Sequence, residues 1–348
     1  MKRNTLSGVL LLASIALTLL PSSVARAAAG VELKADEAQG QLQILIDGKE
    51  ALVYQYGKEV DMPHLYPVRS PASKLLTVQK SNPYPHHRSI WFGDKVQLAG
   101  QAQPVSFYDP LYSQVDKKDP HSPYRNRIRH VKFLTQESTA AGANIKAQLI
   151  WEADLGKVPV MDEIRCLRVT PLAGGEYFLD CRFEITAAYG DVTFRSDKTH
   201  YAWPYIRMHP QFAAERPQSS AQVKPEKGKT TVAPAEKGTG VITNSEGAVG
   251  EKAVMLKPAH WVDYSGTVDG LTEGLAVFMS ADCKDKPLWF TRSYGTFGPR
   301  RAESQSGTPF VLKKGETMQQ RVGILVHSGD VKSGQVAQRY QQYIDGKL

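Results

Sequence analysis

The chain has 348 residues, of which 41% are hydrophobic and 22% charged, and a formal net charge of +8. This is the composition of an ordinary globular protein, and the length suits one large β domain or two ordinary ones. The basic excess is mild and no Lys/Arg cluster is interleaved with aromatic residues, which argues against nucleic acid as a partner.

The N-terminal residues read as a secretory signal. Lys2 and Arg3 precede an apolar run over residues 9–20, and an Ala-x-Ala exit ends at Ala27. This pattern predicts a signal peptide over residues 1–27, whose removal takes three cations and no acid and lowers the net charge from +8 to +5. The apolar run is too short to span a bilayer comfortably, and no other stretch is long and apolar enough. We therefore predict a periplasmic or secreted protein without a membrane span.

Short runs of alternating apolar and polar residues recur from Val31 onward. Leu42–Ile46 and Ala51–Tyr54 flank Asp47-Gly48, which is the favoured two-residue turn of a β-hairpin. Period-two alternation indicates sheets with one buried face. Further strand-like runs cover residues 130–136, 144–153, 162–169, 177–187, 191–195, 253–264, 273–280, 289–292, 308–312 and 318–327.

Helix is predicted only at the end of the chain, with Ser333 as N-cap of a helix over residues 334–344. Residues 211–240 are rich in Lys, Pro, Ser, Thr, Ala and Gly, which predicts a long surface loop or mobile insertion. Many strands with almost no helix predict an all-β fold, a large antiparallel β-sandwich with a short C-terminal helix. We assign residues 28–348 to a single domain of this kind.

Two of the three cysteines flank a Gly174-Gly175 turn. If the hairpin is centred between Ala173 and Gly174, Cys166 and Cys181 fall opposite each other. A cross-strand disulfide then requires suitable geometry in an oxidising compartment. No Cys-x-x-Cys motif is present, so a structural zinc site is not expected.

The segment 83–93 concentrates two imidazoles, a guanidinium and an indole, from His86, His87, Arg88 and Trp91. Its prolines favour an extended, stiff entry, which suits a binding or catalytic site. The alternative is a strand start whose histidines are hydrogen-bonded in a partly buried wall. His86 and His87 point apart in a regular strand, so a shared metal needs an irregular backbone. We therefore predict no metal and no cofactor, with a metal completed by a distant histidine as the alternative.

Polar side chains also gather after the strand-like run that ends at Arg195. Lys198 and His200 either line a pocket rim or belong to a solvated turn. Arg207 lies on the next extended run, where alternation places it on one face with His209.

Two aromatic clusters follow later in the chain. Tyr264 lies in a Trp-Val-Asp-Tyr run that commonly caps a sheet edge, and Arg292 and Tyr294 share a face if the chain there is extended. Aromatic faces stack on sugar C–H groups, and arginine forks hold carboxylates or hydroxyls. These residue types together suit a carbohydrate or carboxylate pocket.

Four segments resemble, in order, the signatures of the DUF6807 family, which is often labelled "methane oxygenase PmoA". They are LYPVRSP at 65–71, PHHRSIWF at 85–92, WVDYSG at 261–266 and WFTRSYG at 289–295. The resemblance runs from about residue 50 to residue 326 and implies a galactose-mutarotase-like β-supersandwich, in a family encoded near sugar-processing enzymes. The oxygenase label is not transferred, because particulate methane monooxygenase subunits are membrane-embedded and this chain has no span after its signal.

The leading hypothesis is a carbohydrate-active lyase, epimerase or hydrolase that acts on a sugar or other small polar substrate. A histidine can move a proton with tyrosine as partner, while arginine steadies an anionic state. A non-catalytic glycan-binding protein and a metal-dependent oxidoreductase are the alternatives. We expect the histidines and Arg88 to converge with His200 and Arg292. Catalysis is assigned to His86, His87, His200 and Tyr294, and substrate binding to Arg88, Trp91, Lys198, Arg207, Tyr264 and Arg292.

Overall fold

A computed structural model describes residues 1, 30–195, 202–216, 236–283, 285–301 and 309–348. Three predictions fall outside these residues. They concern residues 2–27 of the signal peptide, residues 217–235 of the predicted loop, and the pair Lys198 and His200.

The described chain consists mostly of strands. In chain order they are β1 (Val31–Asp36), β2 (Gln41–Ile46), β3 (Lys49–Gln55), β4 (His64–Val68), β5 (Ile90–Trp91), β6 (Lys95–Leu98), β7 (Val105–Ser106), β8 (Arg127–Thr139), β9 (Gly142–Ala153), β10 (Val158–Pro171), β11 (Tyr177–Thr186), β12 (Val192–Phe194), β13 (Tyr205–Arg207), β14 (Glu215–Arg216), β15 (Glu236–Lys237), β16 (Val241–Asn244), β17 (Trp261–Val268), β18 (Leu271–Met279), β19 (Trp289–Thr291), β20 (Thr296–Pro299), β21 (Phe310–Leu312) and β22 (Thr317–Ser328). The α-helices are α1 (Glu251–Val254) and α2 (Val336–Ile344), and single 3₁₀ turns cover Pro110–Ser113, Ala173–Gly175 and Pro210–Phe212.

Two large sheets face each other. The strand order in the first is β1-β2-β3-β4-β5-β13-β20-β19, and in the second it is β16-β17-β18-β22-β11-β10-β9-β8. A smaller sheet has the order β21-β12-β6-β7, and β14 pairs with β15. Every strand pairing in the described ranges is antiparallel. The predicted all-β antiparallel sandwich is therefore confirmed.

The core lies between the two large sheets. Phe92, just after β5, stacks on Phe183 of β11 with ring centroids 4.2 Å apart and an interplanar angle of 3°. The Tyr177 hydroxyl on β11 donates to the Arg69 carbonyl at 2.8 Å, just beyond the end of β4. Burying one such side chain contributes about 1.5–3 kcal/mol. The sheets are thus held together next to β5, which belongs to the histidine-rich segment, residues 83–93.

Local turn chemistry accounts for the first hairpin. Asp47 (φ 53°) and Gly48 (φ 72°) both lie in the left-handed region, and Ile46 pairs with Lys49. Aspartate tolerates this conformation and glycine adopts it freely, as a type I′ turn requires. The predicted two-residue turn is confirmed.

Two predicted element boundaries were wrong. The run predicted as strand over residues 253–264 begins as the short helix α1, and strand β17 starts only at Trp261, because Pro258 interrupts the chain between them. The C-terminal helix is confirmed, but its N-cap is Gln335 rather than Ser333. The Ser333 hydroxyl instead accepts from the Asp330 N–H at 2.9 Å, within the preceding turn. No α-helix in the described ranges is both long and apolar enough to cross a membrane.

The two described ends of the predicted 211–240 loop are hydrogen-bonded to each other, and the N–H of Glu215 donates to the Ser293 carbonyl outside the loop at 2.9 Å. β14 and β15 pair with each other, and the N–H of Gly240 donates to the Ala213 carbonyl at 3.0 Å. A Cβ on Gly240 would lie 2.4 Å from the Phe212 carbonyl oxygen, so this close backbone approach requires glycine.

The predicted alignment of Cys166 and Cys181 was wrong by one residue. The connection between β10 and β11 takes five residues centred on Gly174 (φ 74°), so Cys166 pairs with Arg182 and Cys181 with Leu167. A one-residue difference in register places two side chains on opposite faces of a sheet. All three cysteines, including Cys283, are free thiols.

Candidate functional site

The histidine-rich segment forms a turn rather than an extended strand. The N–H of His87 donates to the Tyr84 carbonyl at 3.0 Å, and regular pairing begins only at Ile90. The rings of His86 and His87 consequently lie side by side, with centroids 4.5 Å apart and an interplanar angle of 84°. Rings that point apart were expected only in a regular strand, and alternation does not apply to this turn.

Arg88 holds this turn from below. Its Nε donates to Asp61 Oδ1 at 3.0 Å and its Nη2 to Asp61 Oδ2 at 2.6 Å, and both side chains are 1% exposed. Its Nη1 donates to the carbonyl oxygens of Pro85 and His87. The guanidinium is therefore occupied inside the protein, and the structure places Arg88 as a support for the histidines rather than on a surface open to substrate.

His87 forms the buried centre of the site. Its Nε2 lies 3.2 Å from the Tyr108 hydroxyl and its Nδ1 3.4 Å from Thr296 Oγ1. Tyr84 stacks on one side at 5.0 Å, and the Trp91 ring, itself 1% exposed, lies 5.2 Å away. Burial, followed by the nearby charges of His86, Arg207 and Arg88, lowers the His87 pKa to about 2. The ring is neutral at neutral pH and is too weak a base to take a proton there.

His86 is the more accessible imidazole. Its Nδ1 lies 3.0 Å from the hydroxyl of Tyr112, which is 49% exposed. Its Nε2 has no hydrogen-bond partner among the described residues, and the side chain is partly exposed. Partial burial lowers the pKa of His86, so the neutral form, with a basic nitrogen, predominates at neutral pH.

Arg207 on β13 is buried next to the histidines without an ion-pair partner in the described chain. Its guanidinium carbon lies 4.4 Å from the ring centroid of Tyr294. Its Nη1 donates to the Tyr294 carbonyl at 2.5 Å and to Thr296 Oγ1 at 3.2 Å. Nε and Nη2 are buried and have no hydrogen-bond partner in the part of the chain that the structure describes. Burial lowers the pKa of Arg207 to about 10, which still leaves the side chain charged at neutral pH.

Tyr294 closes the group from the other side. Its ring lies 5.0 Å from the ring of Tyr84, which in turn stacks on His87. Burial raises the Tyr294 pKa to about 12, with the neighbouring Tyr84 as the next cause, so the phenol stays protonated at neutral pH. We call these residues together the histidine site: Tyr84, His86, His87, Tyr108, Tyr112, Arg207 and Tyr294.

Two other predicted substrate contacts, Arg292 and Tyr264, bond to residues outside the histidine site. Arg292 forms an ion pair with Glu251 at 3.2 Å. Strand β19 ends at Thr291, just before Arg292, so Arg292 and Tyr294 lie in a turn and do not share a strand face. The Tyr264 hydroxyl is buried, where it donates to the Ser293 carbonyl at 2.6 Å and accepts from the Ala214 N–H at 2.9 Å. Tyr264 thus supports the chain segment that carries Tyr294.

The structure brings together His86, His87, Arg207 and Tyr294, with Trp91 below them. Lys198 and His200 lie outside the described residues. Sequence reasoning missed Tyr108, Tyr112 and Thr296. Tyr84 could have been recognised from the sequence because it lies between Pro83 and Pro85. Tyr108 and Tyr112 could not, because they belong to an irregular region whose sequence shows no periodicity. In the described ranges, no group of three or more His, Cys, Asp and Glu side chains could hold a metal ion.

The DUF6807 family, described as a family of unknown function, matches residues 41–341, which confirms the resemblance in the sequence. That description carries no methane oxygenase activity. No curated protein matches the chain.

Similar solved structures include a polysaccharide lyase, at 9% identity and a TM-score of 0.33, with 87% of this chain and 33% of that chain covered. A GH36 α-galactosidase from Geobacillus stearothermophilus is 8% identical, with a TM-score of 0.33 and coverage of 86% and 41%. A galactose mutarotase related enzyme from Lactobacillus acidophilus is 9% identical, with a TM-score of 0.32 and coverage of 86% and 97%. The chain thus spans about a third of the length of the lyase. The sandwich is defined by the two eight-stranded sheets of this chain.

Proposed function

The chain belongs to DUF6807, a family of unknown function, and we propose that it is a carbohydrate-active protein that binds a sugar at the histidine site. The observation that carries the proposal is the set of partly exposed aromatic rings around two adjacent imidazoles. Tyr84, Tyr108 and Tyr294 are partly exposed and Tyr112 is exposed. Such rings stack on the C–H faces of sugars, and their hydroxyls bond to sugar hydroxyls.

His86 is the residue of this site suited to move a proton. Its ring is neutral at neutral pH because burial lowers its pKa, and its Nε2 is free of any described partner. The Tyr112 hydroxyl beside Nδ1 orients the ring, as the second partner of a general base does. We assign His86 as general base and His87 as a neutral group that shapes the site.

Tyr294 supplies the complementary proton donor. Its pKa, raised to about 12 by burial, keeps the phenol protonated, while the cation of Arg207 beneath the ring favours the phenolate once a proton has left. A base and an acid of this kind serve a lyase or an epimerase, in which a proton leaves carbon and another is delivered. Hydrolysis of glycosides commonly uses two carboxylates, and no described carboxylate hydrogen-bonds to His86 or Tyr294.

The test uses purified protein and a panel of neutral and acidic mono- and oligosaccharides. Binding is measured by calorimetry, elimination by ultraviolet absorbance of unsaturated products, and epimerisation by solvent deuterium incorporation in NMR spectra. We expect His86→Gln to lower turnover about 100-fold or more and to change saccharide affinity little, because general base catalysis contributes ~10²–10⁴-fold.

A matched control is His121→Gln, since the His121 side chain is 81% exposed and its ring nitrogen lies 3.7 Å from the Glu59 carboxylate. It should leave binding and turnover unchanged. Full turnover in His86→Gln, or no binding of any saccharide by the unaltered protein, would overturn the proposal.

A non-catalytic glycan-binding protein is the second candidate, favoured by one observation. The His87 pKa of about 2 makes the more buried imidazole useless as a base at neutral pH. Saccharide binding without any turnover or deuterium incorporation in the unaltered protein would select this candidate.

We also propose that the mature chain acts in the periplasm or outside the cell, on the strength of the N-terminal signal pattern. N-terminal sequencing of exported protein should find Ala28 as the first residue. Exported protein that begins at Met1 would contradict this.

A further inference from the structure

Arg207 is a buried cation that the proposed proton transfer does not explain. Its side chain is fully buried, and no carboxylate of the described chain lies within ion-pair distance of it. Among the described residues, Nη1 alone has hydrogen-bond acceptors, and the donors on Nε and Nη2 have no partner there. Burying a charge without a counter-ion is costly, and buried polar groups are nearly always hydrogen-bonded.

The partners that Arg207 does have are aromatic rings and neutral oxygens. The Tyr294 ring lies against the guanidinium at 4.4 Å, and Tyr264, Tyr84 and Tyr108 also lie close enough to influence its charge. The charge of Arg207 in turn helps to lower the pKa of His87. A cation over an aromatic face is stabilised, but less than by a carboxylate that accepts two hydrogen bonds. The surrounding groups therefore hold the guanidinium in place, while Nε and Nη2 on one of its edges have no acceptor among the described residues.

We propose that the histidine site takes an acidic sugar, and that the carboxylate of that sugar pairs with Nε and Nη2 of Arg207. These two nitrogens form one edge of the planar guanidinium, which matches the two oxygens of a carboxylate. Tyr294 covers Arg207 and is itself partly exposed on the turn before Gly295. Entry of the carboxylate requires the Tyr294 ring to turn aside.

This assignment deepens the proposed function and rests on it for the sugar. Pairing with Arg207 would withdraw charge from the carboxyl group and make the C–H bond on the adjacent carbon more acidic. The proton of that carbon would pass to Nε2 of His86, and its electron pair would enter the carboxyl group as an enolate-like state balanced by the guanidinium. The charge on Arg207 and the base on His86 would then serve the same step.

The experiment compares galacturonate and glucuronate with galactose, glucose and the methyl ester of galacturonate. Calorimetry should show the two uronates binding roughly 10-fold or more tightly than the three neutral sugars, because a charged two-point hydrogen bond is the stronger kind. Arg207→Lys keeps the charge but loses the planar edge of the guanidinium. The ratio of uronate affinity to neutral-sugar affinity should therefore fall most of the way to one. Arg125→Lys is the matched control, because the Arg125 side chain is 57% exposed, and this variant should keep the preference for uronates.

The outcomes separate this inference from the proposed function. Equal affinity for uronates and neutral sugars in the unaltered protein overturns the acidic-sugar assignment and leaves sugar binding intact. Uronate preference that persists in a folded Arg207→Lys protein also overturns it. If the variant does not fold, the uronate and its methyl ester still decide the question on the unaltered protein. Malonate is added to the same titrations as a carboxylate that is not a sugar. Binding of malonate but of no sugar would overturn the proposed function and, with it, the acidic sugar as the ligand.

Discussion

Asp61 and Arg88 form a two-point ion pair that is 1% exposed on both sides and lies directly beneath the two histidines. The pair connects the segment before β4 to the residue that follows His87. Because Arg88 also donates to the carbonyls of Pro85 and His87, it fixes the backbone of the turn as well as its position.

Removing one partner of this pair should be severely destabilising. Asp61→Asn leaves the Arg88 guanidinium buried without a counter-ion, and we expect the free energy of unfolding to fall by about 3–5 kcal/mol. Urea denaturation measures the change. Glu32→Gln is the control, because the Glu32–Lys34 pair is 3.6 Å long with both side chains more than half exposed, and it should change stability by less than about 1 kcal/mol. Equal effects of the two substitutions would contradict the structural role of the Asp61–Arg88 pair.

The cysteines should react as three separate thiols. Cys181 is buried, and burial raises the pKa of its thiol, so it should react with a thiol reagent only after unfolding. Cys166 lies on the opposite face of the sheet and is partly exposed, so it should be labelled in the folded protein. Mass spectrometry without reductant should count three thiols after denaturation, and a loss of 2 Da from an intramolecular bond would be incompatible with the register of β10 and β11.

The hydroxyl of Tyr264 should matter more to stability than an exposed tyrosine hydroxyl. Tyr264→Phe leaves the Ala214 N–H without its partner and removes one of the two donors to the Ser293 carbonyl, which still accepts from the Glu215 N–H. The change should cost about 1–3 kcal/mol, because a buried donor is left unsatisfied. Tyr189→Phe removes a comparable bond to Asp162 at 2.8 Å from a side chain that is 43% exposed, and it should change stability by less than about 0.5 kcal/mol. Thermal denaturation of the two variants side by side tests the difference.

The fold class was predictable because its signals are local. Period-two alternation and the Asp47-Gly48 turn depend on residues that are neighbours in the chain, and the structure reproduces both. The register of β10 against β11 was not predictable, because it depends on whether the turn at Gly174 closes on four residues or five. One residue decides which face Cys181 occupies.

The candidate site was predictable only in residues 83–93, where polar and aromatic side chains are concentrated. His86 and His87 stand out by residue type, but their partners come from strands that pair far along the chain. Arg207 meets Thr296 through the pairing of β13 with β20, and no local pattern encodes that contact. Arg88 was assigned to substrate because nothing in the sequence shows that Asp61 lies beneath it.

Acidification should destabilise the protein between pH 6.5 and about pH 4, and His64 is the clearest cause. This side chain is 2% exposed, and burial, together with the charge of Arg88, lowers its pKa from 6.5 to about 4. In this pH window the unfolded chain binds a proton at His64 and the folded chain does not, so stability falls as the pH falls. His87, with a pKa of about 2, acts in the same direction.

His327 opposes this trend, because its ion pair with Asp263 at 2.8 Å raises its pKa despite burial. Its contribution is complete below pH 6.5 and is lost as the pH rises through the folded pKa. The change in the free energy of unfolding between pH 4.5 and pH 7.0, measured by urea titration, should therefore be smaller in His64→Gln than in the unaltered protein. The expected reduction is on the order of 2–3 kcal/mol, since one pKa unit corresponds to about 1.4 kcal/mol. His121→Gln, at an exposed position, should leave the difference unchanged. An identical pH dependence in His64→Gln and the unaltered protein would show that His64 does not stay neutral in the folded state.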